Sequence, residues 1–151
     1  LESVIGTRYT VDTVSYLRDY SDKVHHRHEG VAFACLAQKA AELALPLERL
    51  KQEHRVIANA GEALKELLAE ILDDAVVPRA DVEMAAATYL VYYGNHIAKE
   101  EEDVMTRAAL ALSAEEWEAV RRNVPHGKDP VFGPEPEERF RELRRRIALE
   151  A

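Results

Sequence analysis

Apolar residues return every three or four positions through three long stretches of this chain, and in each stretch a histidine occupies an apolar slot. At roughly 100° per residue that spacing gives an amphipathic helix whose apolar stripe must be buried against others. The first helix is predicted from about residue 10 to 40, with Thr10 or Asp12 as its cap. Val14, Leu17, Val24, Val31, Ala32, Cys35 and Leu36 share one side of it. His25 and His28 lie inside that stripe, Glu29 at its edge and His26 well outside.

Pro46 suits a first helical turn and opens a second predicted helix, over residues 46–72. Its stripe is Leu47, Leu50, His54, Ile57, Gly61, Leu64, Leu68 and Ile71. Pro78 interrupts the pattern, because proline lacks the amide donor that a helix interior needs. A third helix is predicted over residues 81–110, through Val82, Ala86, Tyr89, Tyr93, His96, Ile97, Glu100 and Val104. Ser113 and Glu116 form a capping box before a short helix that carries Trp117. After a stretch rich in proline and glycine, residues 136–151 read as an amphipathic helix with Phe140, Leu143 and Ile147 facing inward. Strand signals are negligible, so the predicted class is all-α: three long helices, a short one and a C-terminal one.

A chain of 151 residues fits a single domain spanning 1–151, large enough to bury a core without staples. The net charge of −8 argues against nucleic acid or an anionic membrane as partner. Cys35 stands alone, so no internal disulfide forms, and the expected compartment is a reducing cytoplasm. Cys35 itself, in an apolar run, reads as an inert core thiol. No apolar run approaches the roughly 20 residues of a membrane span.

The chemistry lies in the histidines. His25 precedes Glu29 by four residues and His96 precedes Glu100 by four. Residues i and i+4 share a helix face, so each pair aims an imidazole and a carboxylate at one point. His54 adds a third inward imidazole. One histidine on an apolar face is ordinarily a satisfied core residue. Three in one bundle, two beside carboxylates that are costly to bury unpaired, point to a metal site of nitrogen and oxygen ligands. His28 shares the stripe as a replacement or supplement for His25, and Glu101 is the alternative to Glu100. His26 is expected to support the site or be exposed. Tyr89 and Tyr93, two turns and one turn before His96, are expected either as plain core or as hydrogen-bonding neighbours of the metal's ligands. His126, in a loop, is not expected to ligate. The ferritin type of centre uses E-x-x-H pairs; this chain has H-x-x-x-E.

At these residues the chain resembles the hemerythrin-like (HHE cation-binding) domain family. H25-H-R-H-E-G resembles the family's second-helix signature, E53-H-R its third-helix E-H, and H96-I-A-K-E-E-E its fourth-helix H-x-x-x-E-E. The resemblance implies an up-down helical bundle holding a non-haem di-iron centre, or another divalent metal. His25, His54 and His96 would be terminal ligands, with Glu29 and Glu100 as bridges. It also implies binding or sensing of dioxygen or a related small oxidant, rather than an enzyme. A di-metal oxidase or peroxidase using Tyr89 or Tyr93, and a metal-free helical interaction module, are the rival expectations.

The chain departs from the family pattern in three places. No histidine precedes His25, so the family's first helix is missing, and residues 1–6 read as its end. Gly30 stands where many relatives have a second Glu, and Ala58 where a second third-helix histidine is usual. A bundle short of one helix exposes an apolar face. The expected cover is a homodimer or other homo-oligomer, or else the C-terminal helix.

Overall fold

The computed structural model describes residues 2–124 and 126–150. Three helical rods pack together, each antiparallel to the next along the chain, so that the first and third run the same way. The first consists of α1 (Glu2–Tyr16), a π-helical stretch (Leu17–His25) and α2 (His26–Lys39), without interruption. The second is α3 (Ala44–Leu72), entered through a short 3-10 turn (Ala41–Leu43). The third is α4 (Arg79–Lys99), a second π-helical stretch (Glu100–Met105) and α5 (Thr106–Ala111). No strand occurs among the described residues, and the architecture is an all-α bundle.

Two local expectations are corrected. The first rod begins at Glu2 rather than near residue 10. Thr10 is no cap, for its hydroxyl donates to the Gly6 carbonyl one turn back inside a continuing helix, 3.0 Å away. Residues 2–6, read as the end of a separate helix, therefore belong to this rod; Leu1 lies outside the described residues. The third rod starts at Arg79, directly after Pro78, whose fixed backbone ends the preceding loop.

The stripe read for the second helix matches its burial. Leu47, Leu50, Ile57, Gly61, Leu64 and Leu68 are all buried. They contribute to two cores, one above and one below the histidines. The upper core joins Phe33, Leu36, Leu43, Leu47, Leu50, Val104, Ala108 and Leu112, with Trp117 and Cys35 against it. The lower one joins Val14, Ile57, Leu64, Leu68 and Tyr89. Ile97, assigned to the stripe of the third helix, is instead exposed, because it lies about 100° around the helix from its neighbour His96.

The chain then folds back over the first rod. The capping box at Ser113 is formed and opens α6 (Ala114–Asn123). Glu116 also pairs with Lys39 at 2.6 Å, tying α6 to the end of α2. A 3-10 turn (Glu138–Phe140) leads into α7 (Arg141–Glu150). Phe140 and Leu143 are buried with Val131, against Tyr9, Tyr16 and Ile147. Tyr16 is two residues from Val14, hence on the opposite side of α1 from the bundle core. The C-terminal helix thus covers the outer side of α1.

Leu36 is 1% exposed in the upper core. Leu36→Ala is expected to lower the unfolding free energy by about 2–5 kcal/mol, read from urea titration of the metal-free protein. A loss well under 1 kcal/mol would mean that this core is not packed as described.

Candidate metal centre

His26, Glu29, His54 and His96 come together between the two cores, on three rods. One ligand atom from each lies within 4.8 Å of all the others. Donors around a tetrahedral ion at about 2.1 Å lie about 3.4 Å apart, so modest side-chain movement suffices to close this set on a metal. The His26 and His54 rings stack at 3.8 Å, nearly parallel. His54 Nε2 is 3.0 Å from His96 Nε2. Glu100 stands beside them, with Oε1 3.1 Å from His96 Nε2 and 3.8 Å from His54 Nε2. His25 sits at the rim, half exposed, and reaches Glu29 Oε1 at 2.6 Å.

His26 is thus buried in the cluster, where the helical wheel left it outside. The π-helical stretch supplies the reason. A π turn takes up an extra residue, so the buried face of the rod steps by five from Ser21 to His26 rather than by three or four. An unbroken α-helix from Val14 would instead have carried His25 inward. A signal was present in the sequence. Counting back seven residues from Phe33, buried on α2, lands on His26.

Of the other expected residues, Glu101 is exposed, as is His126, and His28 is half-buried outside the converging set. Glu100 opens the second π-helical stretch. Tyr89 is buried two turns below His96, and Tyr93 half-buried one turn below it. Tyr93 hydrogen-bonds Ser21 of the first rod. Burial pushes the Tyr93 phenol up to about 12 and raises that of Tyr89 as well, so both carry their protons. Glu53, not singled out from the sequence as a participant, holds His96 from behind. Its Oε2 is 3.2 Å from His96 Nδ1, and its other oxygen pairs with Lys99. That leaves His96 Nε2 directed at the cluster, the arrangement in which an outer carboxylate sets a histidine's ligating nitrogen.

The electrostatics are those of a site built for a cation. Burial works against charge on His54, but the Glu100 and Glu29 carboxylates beside it raise its pKa to about 9. Burial alone would raise Glu29, yet His25 and His54 hold it well below the usual carboxylate range. Glu100 is likewise lowered, by His54 and His96, against the effect of burial. His26 is pushed down to about 4, by burial and then by the neighbouring His54, so it is neutral at ordinary pH. Two carboxylate oxygens nonetheless remain buried without a hydrogen-bond partner, Glu29 Oε2 and Glu100 Oε1. Both lie close to imidazole nitrogens, but along directions in which no N–H points. Such oxygens are costly to bury unless something positive meets them. The donor set therefore fits a metal ion: ionised Glu29 and Glu100 face inward beside a neutral His26, and a bound cation would take the place of the proton that the two carboxylates hold on His54.

Residues 3–108 match the family model described as the Hemerythrin HHE cation binding domain. The chain belongs to that family. No curated protein and no solved structure matches it. As a family member with this cluster, it carries the means to bind a metal ion, and no helix among the described residues is long and apolar enough to cross a membrane.

The two neighbouring histidines make a sharp comparison. His26→Ala is expected to weaken Zn2+ binding by more than about 100-fold, whereas His25→Ala, which removes only a rim contact to Glu29, should cost about 10-fold or less. Competition with a chromophoric chelator reads both. The reverse order would put the α-helical phase, and not the π-shifted one, in force at the site.

Proposed function

We propose that this hemerythrin-family chain holds a pair of non-haem iron ions and through them binds dioxygen or a related small oxidant, for sensing or storage. The observation that carries the reading is the pair of buried, unpartnered oxygens on Glu29 and Glu100, facing three imidazoles from three rods. A carboxylate can give one oxygen to each of two ions, so two such groups are suited to bridging. His26, His54 and His96 would be the neutral terminal ligands, with His25 at the open rim beside Glu29. Bound iron would supply a coordination position for the oxidant and the capacity to exchange electrons with it.

The chain's own residues define the rest. Glu29 and Glu100 bring two negative charges into an apolar interior and so favour a doubly charged cation over a proton. The upper core, with Phe33, Leu36, Leu50 and Val104, and the lower one, with Val14, Ile57 and Tyr89, keep water from both ends of the cluster. The rim at His25 is the side on which a small molecule can enter, since the inward histidines, His26, His54 and His96, are all more buried. Tyr93 and Tyr89 keep their phenolic protons and serve as the wall of the site, Tyr93 tied to Ser21 by a hydrogen bond, a different task from the redox role that an oxidase would require. We place the protein as a homo-oligomer in the cytoplasm, the oligomer covering apolar side chains of α4 such as Leu90, Val91 and Ile97, which are 68%, 57% and 41% exposed.

Anaerobic reconstitution with ferrous iron, followed by admission of air, tests the proposal. The expected result is about two irons per chain, a new visible absorption band on oxygenation and a higher melting temperature than that of the metal-free protein. A folded protein that retains no iron after gel filtration would remove this reading and leave a helical interaction module. Consumption of peroxide with a reducing co-substrate, lost in His54→Ala, would replace binding with turnover.

A further inference from the structure

We propose that Asp22 is the positioning residue of His26, fixing that ring's proton on Nδ1 and so leaving Nε2 free for the metal; the inference rests on the reading of His26 as a ligand. Asp22 lies one turn before His26, and Asp22 Oδ1 is 3.6 Å from His26 Nδ1. Each side chain is only 7% exposed. Asp22 Oδ1 is itself buried and has no hydrogen-bond partner among the described residues. A buried carboxylate oxygen without a donor is costly, and a proton on His26 Nδ1, after a small closure of the gap, supplies one.

The other half of the carboxylate is fixed. Arg18, one turn earlier, hydrogen-bonds Asp22 Oδ2 and also donates to Glu62 Oε2 of α3, through Nε at 3.2 Å and Nη2 at 3.0 Å. The arginine stem crosses α3 at Gly61, where an added Cβ would stand 2.7 Å from Arg18 Cδ. Two rods thereby hold the guanidinium, the guanidinium holds Asp22, and Asp22 faces His26. Glu53 does the same for His96 from the opposite side, with Lys99 in the place of Arg18. A neutral imidazole has one N–H, and whichever nitrogen carries it cannot ligate. Asp22 decides that choice for His26. The rival donor for Asp22 Oδ1 is the Tyr89 hydroxyl, also buried and without a partner.

Asp22→Asn separates the possibilities. Arg18 would claim the amide oxygen and turn the NH2 toward His26 Nδ1, presenting a donor where an acceptor stood. The proton would move to Nε2. Nitrogen-15 NMR of the imidazoles in the metal-free protein reads this tautomer directly, and chelator competition with Zn2+ reads its consequence. Wild type is expected to carry the proton on His26 Nδ1, and Asp22→Asn on Nε2, with Zn2+ bound about 10–100-fold more weakly. Asp22→Glu, which restores an acceptor, should recover most of the affinity, and Tyr89→Phe should change neither readout. The same tautomer in wild type and Asp22→Asn, unchanged Zn2+ affinity, or a Zn2+ loss in Tyr89→Phe instead would each overturn the proposal. Should Asp22→Asn not fold, the wild-type spectrum decides alone, and a proton on Nε2 there refutes it. The tautomer is read without metal, so a wild type that binds no Zn2+ would expose the failure of the metal reading separately.

Discussion

Everything in this bundle is arranged around two carboxylates that have no business in an apolar interior without company. Glu29 and Glu100 enter from different rods and meet between the two hydrophobic cores, 13–14% exposed. Desolvating an ionised carboxylate costs several kcal/mol unless opposing charge or donors meet it. The imidazoles of His25, His54 and His96 meet part of that need, and one oxygen on each carboxylate still lacks a partner. A cation is the natural completion. The family to which the chain belongs is one defined by such binding.

The two cores on either side make the site rigid rather than merely possible. Above the histidines, Phe33, Leu36, Leu50 and Val104 interlock the ends of all three rods; below, Val14, Ile57 and Tyr89 do the same. Glu53 and Asp22 then stand behind His96 and His26, each clamped by a cation, Lys99 or Arg18. Donors are thus held by side chains that are themselves held. Positioning of this kind is what separates a metal site from a cluster of polar residues.

The sequence was most legible where an α-helix runs without irregularity. In α3 the strict three-and-four spacing from Leu47 to Leu68 gives the buried face, with His54 set into it. It was least legible where a rod changes its pitch. Nothing in the run Leu17 to His25 announces a π-helical stretch, and its extra residue exchanges the places of His25 and His26. Glu53 and Asp22 were equally hard to read, since the contact of Glu53 with His96 is made across rods and that of Asp22 with His26 depends on the pitch of the π stretch.

The amino-acid sequence alone determined the helical class, the rod boundaries to within a few residues except at the start of the first rod, and the histidines and glutamates that could form a centre. Those properties follow from periodicity and from i, i+4 spacing, which are local. Which of two adjacent histidines enters, which carboxylate stands behind it and where α7 docks were decided only by the tertiary structure. Each depends on the relative rotation of packed rods, and a single extra residue in a turn alters that rotation by enough to turn one side chain out and its neighbour in.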